Sequence, residues 1–412
     1  MPRLLIIAAI AVSYFVFAIL LNSVGTVILQ SINSFEVSKT QASTLEGFKD
    51  LSIAIVSFLV ASFIPRIGYK VAMVMGLVLV AMLCAITPTI ASFWVIKLLF
   101  ACIGSAFALV KVSVYAVIGQ LSSNTKTHSS LMNLVEGIFM LGVLSGYWVF
   151  AAFIDPANER SLAWLNVYYL LAGLTAITIL LVLAAPIQKP EIKHNTQATT
   201  AFVDMLKLTY KPLVLIFIIS VFLYVLIEQG VGSWLPTFNR EVLGLPTQVS
   251  IQMTSIFAIS LAVGRLSAGV VLSKINWYPF MNACLTGMAC VMLLSLPLAE
   301  KVDETMVKSW LDAPLGAFCI PLIGLMMAPI YPVINSVMLS ALPKYQHAPM
   351  TGLIVVFSAL GGTTGSIITG YVFESMGGQY AFYLSLIPIC ALLITMFLFK
   401  RASSSIVSKD TV

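Results

Sequence analysis

Charge is what this sequence has least of. Only 9% of its 412 residues are Asp, Glu, Lys or Arg, and 60% are hydrophobic. About a quarter of an ordinary soluble chain is charged, so this balance, with a mean hydropathy of +1.02, excludes a soluble domain. Histidine is scarcer still. His128, His194 and His347 all fall in expected loops, which argues against a metal site. The six cysteines lie in apolar runs and form no CxxC, so they read as small core residues, not as disulfides or metal ligands. No Walker A sequence, zinc signature, nucleophile elbow or haem motif is present. An enzyme is therefore not expected, nor a cofactor. With no soluble stretch long enough to hydrolyse ATP, any work the chain does must draw on a gradient. The net charge of +6 needs no nucleic acid to explain it, because the placement of the charges does so.

Long apolar runs are plentiful. A spanning helix needs about 20 apolar residues, and twelve runs qualify: 4–31, 43–64, 71–90, 92–120, 129–154, 163–185, 212–238, 249–272, 277–298, 313–342, 348–374 and 379–399. The first follows a single arginine, is about twice a signal-peptide core and shows no cleavage site, so it reads as a retained helix. Turn chemistry separates the runs, as in Asp155-Pro156-Ala157-Asn158 and Gly377-Gly378. The one longer polar break, 188–211, divides six helices from six and leaves room for a short amphipathic helix over 201–208. The expected architecture is an all-α membrane protein with a six-helix bundle over 1–186, a linker over 187–211 and a second bundle over 212–412. Lys and Arg then number thirteen on the side of both termini against five on the other. This predicts cytoplasmic termini in a plasma membrane, here a bacterial inner membrane. The halves also echo each other: 128–146 lies over 347–365 without a gap, pairing Gly142 with Gly361 and Gly146 with Gly365. Internal repeats of this kind typify secondary transporters.

The few charges inside these runs are the candidates for function, since intramembrane charges are costly and face a protein interior or a water-filled path. Glu46-Gly47-Phe48-Lys49-Asp50 opens the second run. Glu46 and Asp50 share a helix face, with Lys49 at i+3 from Glu46. Two plainer readings stand beside a functional one: Glu46 as a helix-start residue at head-group level, and Lys49–Asp50 as a static pair. Lys111 in the fourth run and Glu136 in the fifth both lie roughly 10–14 Å from the same face at ~1.5 Å per residue, which predicts a Lys111–Glu136 ion pair. A purely structural buried pair gives little net stability, so these two are read as functional. Glu228 sits in the outer half of the seventh run. Lys97 is read as snorkelling and Arg265 as a structural gate residue.

Amides and aromatics supply candidate solute contacts. Asn22 is in the first run and Asn133 lies one turn before Glu136. The seventh run carries Gln229 and Trp234 as candidate contacts, and its Gly230, Gly232 and Pro236 allow the helix to bend or break, as helices at gates and sites often do. Trp234 has an alternative as an interfacial belt residue. Tyr331 lies between Pro329 and Pro332, which predict a kink, and Asn335 follows. Gly361-Gly362-Thr363-Thr364-Gly365 is expected to be a packing face.

Six plus six helices, a basic middle loop and cytoplasmic termini resemble the major facilitator superfamily over nearly the whole chain. Three stretches resemble its fucose/glucose/galactose:proton symporter branch: Gln41 through Arg66-Ile67-Gly68-Tyr69-Lys70, Asn133-Leu134-Val135-Glu136, and Gly230-Val231-Gly232-Ser233-Trp234-Leu235-Pro236. The sequence departs from that branch in its charges. The resemblance implies a carboxylate on the first helix, yet no acid precedes Glu36; Lys111 takes the place of one on the fourth. Glu46 and Glu136 stand where the branch has glutamines, and the loop over 65–70 lacks the usual aspartate. What the resemblance implies is a monomeric secondary transporter that takes up a small polar solute, a sugar or sugar derivative, with protons or another cation as the coupling ion. On that reading Glu136, alone or with Glu46 or Asp50, would titrate and release Lys111; alternatively, a charged solute would pair directly with Lys111 or Glu136. Two other readings stay open: a proton-driven exporter of a drug or charged metabolite, and a non-transporting receptor or assembly factor.

Overall fold

The computed structural model describes residues 2–122, 124–188, 205–303, 306–307, 309–343 and 346–407. Helices make up its regular structure, and there is no strand among the described residues. Eleven helices among them are long and apolar enough to cross a membrane. The twelfth expected span, 43–64, is also a helix, Lys39–Ile67. Glu46, Lys49 and Asp50 sit together in its first half. Most of the expected linker lies outside the described residues, as do the first four residues of the amphipathic helix expected over 201–208; residues 205–208 are helical.

The chain resolves into two compact units. Unit 1 comprises Met1–Val37 and Leu45–Ala198; unit 2 comprises Ser38–Thr44 and Thr199–Val412. In unit 1 the elements are α1 (Pro2–Asn22), α2 (Val24–Phe35), most of α3 (Lys39–Ile67), α4 (Tyr69–Ile90), α5 (Phe93–Leu121), α6 (Thr125–Ala151) and α7 (Val167–Ala184). In unit 2 they are α8 (Pro212–Gly232), α9 (Leu235–Glu241), α10 (Thr247–Leu272), α11 (Trp277–Ser295), α12 (Leu315–Cys319), α13 (Ile323–Met327), α14 (Ile330–Ser340), α15 (His347–Met376), α16 (Gly378–Tyr383) and α17 (Leu386–Val407).

Four expected runs are interrupted, the twelfth at Leu384 and Ser385, and the breaks in the other three have a local reason. The first divides at Ser23, where the Asn22 amide donates to the Ala18 carbonyl (2.9 Å) and the Ser23 hydroxyl to that of Leu20 (2.8 Å). Such side chains compete with the helix's own bonds. The seventh divides at Ser233 and Trp234, after Gly230 and Gly232 and just before Pro236. The tenth breaks before Ile330, at Pro329, because proline lacks the N–H that the preceding turn would use.

Gly142 and Gly361, paired across the halves, pack in the same way. A Cβ on Gly142 of α6 would run into the Phe15 carbonyl of α1, whereas one on Gly146 would meet Ile19 only at ordinary contact distance. In unit 2, Gly361 and Gly365 of α15 meet the Phe222 and Leu226 carbonyls of α8. Small residues let membrane helices approach backbone to backbone, and the contact of Gly142 recurs at Gly361, its partner in the sequence repeat. Replacing Gly365 by alanine is expected to force α8 and α15 apart and destabilise the protein by about 1–3 kcal/mol. Thermal unfolding in detergent reads this, and an unchanged midpoint would show the approach to be dispensable.

Candidate functional site

In unit 1, α3 places three charges in one buried group. Glu46 is 0% exposed and Lys49 5%. The Lys49 ammonium bonds Glu46 Oε1 and lies 3.4 Å from Asp50 Oδ1. The i, i+3 and i, i+4 spacing brings all three to one side of the helix. Gly104 of α5 admits the α3 backbone here, since a Cβ on it would collide with the Lys49 carbonyl. Tyr147 of α6 lies within electrostatic reach of Lys49 and Glu46. Two carboxylates face one ammonium, so the ionised group carries one net negative charge, and a single added proton makes it neutral.

A second group forms where α1, α5 and α6 meet. Lys111 and Glu136 are both exposed although each lies well inside a membrane-spanning helix. The expected direct ion pair is not formed. Glu136 Oε1 accepts instead from the Tyr115 hydroxyl at 3.1 Å. The Lys111 ammonium sits over the rings of Phe107 (5.7 Å) and Tyr115 (5.8 Å), within electrostatic reach of Glu136. Tyr115 is one turn from Lys111 on the same face of α5, so its ring meets the cation and its hydroxyl the carboxylate. The ring of Tyr14, from α1, packs against Phe107 and Phe139 and closes the side of this group. Asn133, one turn before Glu136, is exposed.

Unit 2 builds a third group from α8, α14 and α15. Glu228 Oε1 accepts from the Tyr224 hydroxyl at 3.1 Å. The rings of Tyr224 and Tyr331 are 5.7 Å apart, and the Tyr331 hydroxyl is 3.1 Å from that of Ser358. Arg265 of α10 acts electrostatically on Tyr224, and Glu228 on both tyrosines. Asn335 Oδ1 is buried here without a partner, an acceptor that a ligand hydroxyl would satisfy. Gln229 accepts from the Ser233 hydroxyl at 3.2 Å.

Two candidates stand apart from these groups. Asn22 donates to its own helix. Trp234 is 0% exposed; its indole N–H donates to the Ser366 carbonyl at 3.1 Å, and its ring packs on Phe373. Trp234 is thus not an interfacial belt residue, and its indole N–H is satisfied within the protein. Sequence reasoning missed Tyr14, Tyr115, Tyr147, Tyr224 and Ser358. The signal for two of them was present, since Tyr115 is four residues after Lys111 and Tyr224 four before Glu228. Also missed was Glu374, which accepts from the Thr40 backbone N–H (2.9 Å) and hydroxyl (2.7 Å) within unit 2, beside a Lys39–Glu241 pair at 3.2 Å.

No group of three or more His, Cys, Asp or Glu suited to a metal ion occurs among the described residues. Charge partners, aromatic rings and hydroxyls set inside spanning helices are suited to moving a proton and holding a polar solute. The family model of the Major Facilitator Superfamily matches residues 7–313. The chain belongs to the major facilitator superfamily. It is 24% identical over 367 residues to a glucose/galactose transporter of Brucella abortus biovar 1 (strain 9-941), covering 86% of this chain and 84% of that protein. Among solved structures, the nucleoside transporter NupG, as a variant, matches with a TM-score of 0.76 at 15% identity, covering 96% of this chain and 99% of that one. The E. coli fucose:proton symporter FucP, also as a variant, matches with a TM-score of 0.62 at 15% identity, covering 95% and 98%. These likenesses are of fold. With the superfamily model they make the chain a multi-pass membrane transporter, not an enzyme.

Proposed function

We propose that the chain takes up a small neutral polar solute of the sugar class, coupled to protons, by alternating access. The observation that carries this reading is the Lys111–Tyr115–Glu136 group: a carboxylate, a hydroxyl and an ammonium, with Lys111 and Glu136 exposed inside spanning helices. Intramembrane ionisable residues of this kind mark ion and substrate pathways. When Glu136 takes a proton it loses the charge that offsets Lys111, so the group's electrostatics change with each proton bound. The Glu46–Lys49–Asp50 group is a second place where one proton neutralises net charge. In unit 2, Tyr331, Asn335 and Gln229 offer an aromatic face and amides to a solute, with Glu228 held by Tyr224. The name of the Brucella relative supports a hexose as the solute.

The excess of lysine and arginine on one side supports cytoplasmic termini in a bacterial inner membrane. A monomer with bundles over 1–186 and 212–412 fits the same reading. The test is uptake into proteoliposomes of purified protein, with labelled galactose, glucose and uridine, with and without an imposed proton gradient. Galactose or glucose should accumulate only with the gradient and be released by a protonophore. Hexose accumulation indifferent to the protonophore, or no hexose flux at all, would overturn the proposal.

A further inference from the structure

Helix α2 carries a set of polar atoms that its packing leaves unsatisfied. Residues 24–31 are buried throughout. Thr26 and Gln30 are each 1% exposed. Thr26 Oγ1, Gln30 Nε2 and Asn33 Nδ2 are buried and have no hydrogen-bond partner. At 3.6 residues per turn these three side chains fall within about 60° of one another around the helix. Ser31 Oγ is also unpartnered, but points to another side.

Other hydroxyls on these helices behave differently. Those of Ser13, Thr87, Ser113 and Thr175 each donate to the carbonyl four residues back. Thr26 forgoes that bond. Ser34, next to Asn33, is engaged by Trp164 and the Ser161 carbonyl. Buried polar groups left without partners are rare and call for an explanation, the more so in a hydrocarbon setting that offers no water.

We propose that Thr26, Gln30 and Asn33 form a solute subsite that receives the hydroxyl and ring oxygens of a neutral polyhydroxy molecule. Two amide N–H donors and one hydroxyl match such oxygens, and 24–35 carries no charged residue that would select an ion. The subsite is distinct from the Lys111–Tyr115–Glu136 group. Thr26 and Gln30 lie twelve and sixteen residues beyond Tyr14, roughly 18–24 Å along the helix axis, which is farther than one hexose reaches. The inference rests on the proposed sugar transport and adds a second station on the solute's path.

The test uses the full-length protein with Thr26→Val and Gln30→Met, singly and together. Both substitutions keep the side-chain size and delete only the polar atoms. Melting temperature in detergent is measured alone and against a galactose titration. The ligand-free double variant should melt no lower than the wild type, and its half-saturating galactose concentration should rise at least tenfold. A ligand-free melting temperature lower by several degrees would overturn the proposal, because those atoms would then serve the fold. An unchanged galactose response would overturn it too, while leaving sugar transport standing. A wild type that responds to no neutral sugar would sink both readings. A variant that loses proton dependence of uptake but keeps galactose affinity would show these residues to conduct protons, which also overturns the proposal.

Discussion

Glu136→Gln should abolish proton-driven accumulation of solute while leaving solute exchange across the membrane within about twofold of wild type. The side chain keeps its size and its carbonyl oxygen, so the Tyr115 hydroxyl retains an acceptor where Glu136 Oε1 now stands at 3.1 Å. What is lost is the ability to bind and release a proton. One unit of pH difference is worth about 1.4 kcal/mol per proton, so a transporter moving one proton per solute can concentrate it about tenfold per unit of gradient. A glutamine at 136 should reduce that ratio to one. Exchange needs only the loaded carrier to reorient, and with residue 136 permanently neutral the solute groups of unit 2 are untouched. Uptake against an imposed gradient and counterflow in the same proteoliposomes separate the two outcomes. Undiminished accumulation would remove Glu136 from coupling. If Glu46→Gln then lost accumulation, the proton would belong to the buried group on α3.

Much of this was legible in the sequence because membrane insertion leaves so few free choices. Lipid demands long apolar helices, so their number and order could be read from hydropathy. The span that carries three charges, α3, was legible too, with Glu46, Lys49 and Asp50 in its first half. The pairing of Gly142 with Gly361 and of Gly146 with Gly365 was visible as a weak repeat, and the first pair reappears as the same close backbone approach in each unit. The partners of the charges were not legible. Lys111 and Glu136 sit at matching depth, which suggested a direct pair, but depth says nothing of the direction in which a side chain leaves its helix. Tyr115, one turn from Lys111, takes the intermediate position, and a tyrosine in an apolar run looks like core. Trp234 differs: its place beside a helix break suggested a solute contact, and in the structure its indole turns inward to Ser366. The unsatisfied face of Thr26, Gln30 and Asn33 required coordinates, since only packing shows that no neighbour satisfies those atoms.

Lys49→Met should be among the most destabilising single changes in the chain, at about 3–5 kcal/mol, the usual cost of removing one partner from a buried ion pair. Lys49 bridges Glu46 and Asp50, and Glu46 has no exposure through which water could replace it. Without the ammonium, two carboxylates one turn apart repel each other in a poorly solvated site. The loss should appear as a much lower melting temperature, and should shrink at acid pH as protons take the place of the missing charge. Replacing the whole group tests the electrostatic cause. Glu46→Gln, Lys49→Met and Asp50→Asn combined leave no formal charge and should recover most of the stability, because an uncharged set of similar volume is often as stable as a buried ionic one. A single Lys49→Met variant that melts like wild type would mean that Glu46 and Asp50 are not held as a charged network. If the triple variant folds and still accumulates solute, the group serves only to hold α3 against α5. If it folds and exchanges solute but no longer accumulates it, the proton that neutralises this group is one the transport cycle uses.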